Sequence, residues 1–168
     1  MPIQRLNHAV LYVRDVARSV AFYTEALGFR VVMEMPGQAA FLQAAGSTND
    51  HDLGLFAIGD RAGASTAGRS TVGLYHLAWE VDTLAELQRI RGVLTEHGAL
   101  VGASDHGSTK ALYAQDPDGI EFEVSWLVPA ALLDPDQKIA TLPLHLEREI
   151  ERYGAETRGG VGVSVPSA

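Results

Sequence analysis

LNHAVLYVRDVARSVAFYTEALG, residues 6–28, is the stretch whose reading decides the fold. Residues 6–14 alternate: Leu6, His8, Val10 and Tyr12 fall on one face of a strand, and Asn7, Ala9, Leu11 and Val13 on the other. Asp15 then stands at an N-cap position, where a short carboxylate accepts from the first free amides of a helix. Beyond it, Val16, Val20, Tyr23 and Leu27 recur at helical spacing, and Gly28 offers the stop. Strand-like FRVVMEM, QAAFLQA and HDLGLFAIG follow, separated by polar or Gly-bearing loops. The order is strand–helix–strand–strand–strand.

The same order returns 68 positions later, where Leu74 and His76 answer Leu6 and His8. LYHLAWEV, residues 74–81, reads as a strand. Thr83 and Glu86 have the spacing of a capping box, Leu84, Leu87, Ile90 and Leu94 mark a buried helix face, and Gly98 ends it. Strand-like ALVGAS, KALYAQ and IEFEVSW complete the second copy. A duplicated plan lets a small chain close one sheet against another. The expected fold class is therefore α+β: paired βαβββ modules forming a curved mixed sheet around a cavity. The modules are expected at residues 4–58 and 74–127, joined by a Gly/Ser/Thr-rich loop at 59–73. A C-terminal extension at 128–153 carries a helix near Pro143–Tyr153, with Pro143 near its start. Residues 154–168 read as a flexible tail.

Composition narrows the chemistry. The chain has 168 residues, 46% hydrophobic and 20% charged, as an ordinary globular domain does. A net charge of −8 without a Lys/Arg cluster argues against nucleic-acid binding. With no cysteine, disulfides, thiolate nucleophiles and iron–sulfur clusters are excluded, and any metal must be held by His and carboxylates. No apolar run approaches a membrane span, and MPIQRLNHAVLYV lacks a signal-peptide pattern, so a cytoplasmic location is expected.

His8 and His76 hold matching positions at the openings of the two copies. Glu121 and Glu123 lie on the closing strand of the second copy and share a face. Two imidazoles and one carboxylate make a facial triad suited to non-haem Fe(II), although Mn, Zn, Ni or Co accept the same donors. Parity leaves both glutamates open. Glu123 lies deeper in the strand, where an isolated charge is costly to bury and a cation would neutralise it, which favours it over Glu121.

The segments 6–31, 74–81 and SDHGSTKALYAQDPDGIEFEV at 104–124 resemble the vicinal oxygen chelate superfamily, which includes glyoxalase I, fosfomycin- and bleomycin-resistance proteins and extradiol dioxygenases. The resemblance implies paired βαβββ modules around a metal-bearing cavity. It carries the metal ligands onto His8, His76 and Glu123, the glutamate four positions after Gly119. DHG followed by LY looks like the catechol 2,3-dioxygenase type, whose second-sphere histidine and tyrosine would fall on His106 and Tyr113. Those enzymes usually have four modules, whereas two are seen here.

The resemblance implies an Fe(II)-dependent extradiol dioxygenase that takes a small aromatic diol and O2 and works as a homodimer. His106 would take a proton from the diol and later return it, a role suited to imidazole near neutral pH. Tyr113 would donate a hydrogen bond to a substrate oxygen. The alternatives are a glyoxalase-like isomerase or lyase, or a non-enzymatic resistance-type binding protein. Glyoxalase I commonly adds a glutamate ligand from the last strand of the first module; HDLGLFAIG has none. Asp116–Gly119 reads as a turn with no catalytic role. Phe41, Phe56, Trp79 and Phe122 are candidates for an apolar pocket or for core.

Overall fold

In the computed structural model, residues 2–3, 5–67, 70–134, 140–160 and 163–164 are described. The chain divides into two compact units, one of residues 1–65 with 116–119, the other of 66–115 with 120–168. Each unit is built on its own mixed sheet, and the α+β class expected from the duplicated plan is the one found.

In the first unit, β1 (Ala9–Val13), α1 (Val16–Leu27), β2 (Arg30–Met35), β3 (Ala39–Gln43) and β4 (Leu53–Ala57) follow in order. The sheet order is β1-β4-β3-β2, with β1 parallel to β4 and the other neighbours antiparallel. Alternation along β1 buries Leu11 and Val13 and leaves Val10 and Tyr12 exposed. The strand opens at Ala9 rather than Leu6, so His8 stands just before it. The Asp15 side chain caps α1 by accepting from the Arg18 amide at 3.0 Å, and Gly28 closes the helix at φ 69°, a left-handed conformation that favours glycine. The buried face is Val16, Ser19, Phe22, Tyr23 and Ala26; Val20 and Leu27 are only half-buried, because the stripe lies one position away from the expected one.

The turn Asp116–Gly119 clusters with this first unit. Its Asp118 accepts from the Arg14 amide and guanidinium, both at 2.9 Å, and from Arg18 at 2.6 Å. Burial pushes the Asp118 carboxyl up, but the Arg14 amide, the Arg14 side chain and Arg18 together outweigh it and hold the group below its ordinary value. Asp116 accepts from the buried Tyr23 hydroxyl at 3.2 Å, and burial first, then this carboxylate, raises that phenol well above its ordinary value.

In the second unit, β5 (Leu77–Val81), α2 (Leu84–Glu96), β6 (Leu100–Asp105), β7 (Thr109–Gln115) and β8 (Glu121–Leu127) repeat the plan. The order is β5-β8-β7-β6, again with the first pair parallel, extended at its edge by β9 (Leu142–Pro143). Even the irregularity repeats: the register shifts between Val31 and Met33 in β2 and between Leu100 and Gly102 in β6. Thr83 caps α2 by accepting from the Glu86 amide, while the Glu86 carboxylate pairs with Arg89 at 2.6 Å. Leu84, Leu87, Ile90 and Leu94 are all buried, as their spacing predicts.

One expectation for the C-terminal region needs correction. The helix, α3, spans Leu146–Tyr153, and Pro143 sits in β9, an edge strand where a missing amide costs no ladder bond. Of the tail expected at 154–168, residues 161–162 and 165–168 lie outside the described residues, and those just after α3 make hydrogen bonds. The Thr157 carbonyl accepts from the Trp126 indole at 3.1 Å, the Gly159 amide donates to Asp82, and the Ala155 carbonyl accepts from Ala85. The fully buried Trp126 needs a cover, and this segment supplies it.

Candidate metal and acid–base site

Four of the five expected site residues meet within the second unit. His76 lies immediately before β5, and its Nε2 is 3.2 Å from Oε2 of Glu123 on the neighbouring β8. The side chains are 24% and 13% exposed, so both remain reachable. The β5–β8 register pairs Ala78 with Glu123, and the β7–β8 register pairs Tyr113 with Glu123. This pairing brings Glu123, not Glu121, against both His76 and Tyr113; Glu121 stands opposite Gln115.

The His76 ring also packs on Tyr75 at 4.6 Å and on Tyr113 at 5.8 Å between centroids. Its Nδ1 is buried without a hydrogen-bond partner among the described residues. The Tyr113 hydroxyl contacts His106 Nε2 at 2.9 Å, and His106 Nδ1 contacts the Ala140 carbonyl at 3.1 Å. The Tyr113 phenol is raised above its ordinary value, first by burial, then by the negative charge of Glu123, by Tyr75 and by a hydrogen bond to the Glu123 carboxylate. It therefore stays protonated across the neutral range and can donate.

His8 belongs to the first unit. It is exposed, hydrogen-bonds Asn7 at 2.7 Å and packs on His51 at 4.5 Å between centroids. Among the described residues no three His, Asp or Glu side chains converge as a metal cluster. The His76–Glu123 pair nonetheless fits a cation. Its donors are an imidazole and a carboxylate, and their spacing suits adjacent ligands with bonds of about 2.1 Å. The under-satisfied imidazole nitrogen is a second sign of a ring not serving the core.

The duplicated registers show what the first unit has in the corresponding places. Val10 pairs with Gly54 as Ala78 pairs with Glu123, and Phe41 pairs with Gly54 as Tyr113 pairs with Glu123. Gly54 thus occupies the place of the carboxylate, and Phe41 that of the phenol. A Cβ on Gly54 would meet Val10 at 3.4 Å and Phe41 at 3.7 Å, so apolar side chains line that spot. Asp52 is engaged elsewhere, accepting from Ala44, Ser47 and Asn49 in the loop before β4. Of the aromatic pocket candidates, Phe122 is core, while Phe41 and Phe56 are half-buried and stack edge to face. Tyr75, Ala140 and the buried Lys110 were not singled out from the sequence. Tyr75 adjoins His76 in LYH, a signal available there, but the other two are recognised only by contact.

A duplicated βαβββ plan with a histidine opening each copy and a carboxylate on the second closing strand defines the paired-module class. The chain belongs to the Glyoxalase/Bleomycin resistance protein/Dioxygenase superfamily, whose profile matches residues 5–124. It is 30% identical over 158 residues to the catechol-2,3-dioxygenase of Bacillus subtilis (strain 168), covering 91% of this chain and 53% of that protein. The chain therefore spans about half that relative's length. It is also 32% identical over 127 residues to the lactoylglutathione lyase of Salmonella typhimurium, covering 71% of this chain and 90% of that protein. In fold it resembles the glyoxylase/bleomycin resistance protein/dioxygenase domain from Frankia sp. EAN1pec, at a TM-score of 0.62 and 23% identity, covering 74% of this chain and 92% of that one.

Proposed function

We propose that the chain is an Fe(II)-dependent extradiol dioxygenase that opens a small catechol-type diol with O2, with His8, His76 and Glu123 as the metal ligands. The observation that carries the reading is the 2.9 Å contact of His106 with Tyr113, beside the His76–Glu123 pair. An acid–base imidazole and a protonated phenol next to a metal-type donor pair are what proton transfer from a diol requires. The likeness to a catechol-2,3-dioxygenase supports it.

When bound, Fe(II) supplies a Lewis acid with open positions for a vicinal diol and dioxygen. Glu123 and the two imidazoles leave such a centre with net positive charge, which favours a diol anion. Tyr113 donates its hydrogen bond to a substrate oxygen and orients the ring. His106 accepts the diol proton at Nε2 and holds it for return to the product. The proposed assembly is a homodimer, and the proposed location is the cytoplasm.

A second reading, a glyoxalase-like isomerase or lyase, draws on the lyase relative matched over 90% of its length. Gly54 weighs against it, because the first unit offers no carboxylate in the place equivalent to Glu123. The test is anaerobic reconstitution with Fe(II), then a panel of catechols and O2, with products followed by absorbance and mass. Ring-opened product is expected, and His106→Ala should remove most turnover while retaining iron. Iron bound at full stoichiometry with no product across a broad panel would overturn the dioxygenase reading in favour of the second.

A further inference from the structure

The superfamily match ends at residue 124, yet much of what fixes His106 comes from further along the chain. The Ala140 carbonyl lies 3.1 Å from His106 Nδ1. A carbonyl only accepts, so this contact favours a hydrogen on Nδ1 over the longer 3.4 Å approach of the Thr141 hydroxyl to the same nitrogen. In a neutral ring of that tautomer Nε2 is the accepting nitrogen, facing the Tyr113 hydroxyl at 2.9 Å, whose one hydrogen is shared between Nε2 and the Glu123 carboxylate. Once the Tyr113 hydroxyl turns to a substrate oxygen, Nε2 is the nitrogen that accepts a proton. Ala140 is brought to this place by β9, which pairs Leu142 with Asp105 and Pro143 with Ser104, beside the residues leading to His106.

The backbone around His106 is tied as well. Its amide donates to the Thr109 carbonyl at 2.9 Å. Asp105 Oδ1 accepts from the Gly107 amide at 2.8 Å and from Lys110 Nζ at 2.5 Å. Lys110 is only 1% exposed, and Glu149 of α3 lies 3.0 Å from its ammonium as an ion pair. A lysine buried between two carboxylates carries a desolvation cost that an apolar residue would avoid. Here it joins α3 to the turn that presents His106.

We propose that the β9–α3 extension is a positioning device for His106: the Ala140 carbonyl sets the tautomer of the imidazole, and the Glu149–Lys110–Asp105 chain sets the backbone from which it projects. Lys110, Asp105 and Glu149 are positioning residues, acting through His106. The proposal rests on the reading of His106 as the proton acceptor.

The test is nitrogen-15 NMR of the histidine rings in the full-length, metal-free chain at mildly basic pH, with His106 assigned by its loss in His106→Ala. The expected result is a hydrogen on Nδ1 and a bare Nε2. Asp105→Asn and Glu149→Gln should shift that ring toward a mixture of tautomers. In the iron-loaded protein, the same variants should lower kcat about tenfold or more, with KM and iron content retained. Glu149→Gln keeps the side-chain shape and carries the comparison if Asp105→Asn folds poorly. A hydrogen on Nε2 in the parent chain, or an unaltered tautomer and kcat in Glu149→Gln, would overturn the proposal. The NMR result is independent of iron and catechol, so a failure of ring cleavage would overturn the dioxygenase reading alone.

Discussion

Glu123 and Glu121 differ by two residues on one strand face, and the difference decides which of them meets His76 and Tyr113. Glu123 faces His76 at 3.2 Å and stands opposite Tyr113, whereas Glu121 stands opposite Gln115. Glu123→Gln is expected to abolish stoichiometric iron binding, and Glu121→Gln to leave it nearly intact, as measured by metal analysis after anaerobic loading. Equal loss in both would contradict the assignment. Tyr113→Phe removes the donor and keeps the ring. It should lower kcat by roughly 10- to 100-fold while iron stays bound, since one positioned hydrogen-bond donor is commonly worth that much. Steady-state rates on the best catechol check it. The sequence supplied both glutamates with equal parity. The family spacing favours Glu123, and what sets the two glutamates apart physically, the β7–β8 register, is tertiary.

At the scale of elements, local chemistry explains most of what forms. Asp15 and Thr83 cap their helices, and the four apolar residues of α2 are buried as their spacing requires. The C-terminal elements follow a different logic, because they answer to the second sheet rather than to their own sequence. Gly159 shows this. A Cβ there would lie 1.9 Å from the Leu127 carbonyl and 2.7 Å from the Trp126 indole nitrogen, neither of which can move freely. Gly159→Ala is expected to destabilise the fold by about 1–3 kcal/mol, read from urea unfolding followed by tryptophan fluorescence. The Asp118 cluster gives a prediction in acid. Its carboxyl is held below the ordinary value in the folded chain, so the stabilisation is complete above the unfolded pKa and drains as pH falls through the folded one. The parent chain should exceed Asp118→Asn by about 1–2 kcal/mol near neutral pH. That gap should close below about pH 4. A gap unchanged down to pH 3 would contradict this account.

At the scale of the whole molecule, duplication supplied two similar units and divergence made them unequal. The second holds Glu123, Tyr113 and His106; the first holds His8, with Gly54 and Phe41 in the places of Glu123 and Tyr113. If His8 completes the triad, His8→Ala should lose iron as fully as His76→Ala. Mixing His8→Ala with Glu123→Gln would then restore iron only if a site draws on two copies of the chain. Retention of iron by His8→Ala would remove it from the ligand set. Periodicity, caps and the 68-residue echo of LNH in LYH by themselves determined the two βαβββ units, because these signals are local and repeat. Composition alone restricted any metal site to His and carboxylates. Tertiary structure decided that His76 meets Glu123, that Ala140 reaches His106 across 34 residues, and that residues 154–160 cover Trp126. Those contacts join residues far apart in the chain, and pairing of that kind is set by sheet register and burial, which no local pattern encodes.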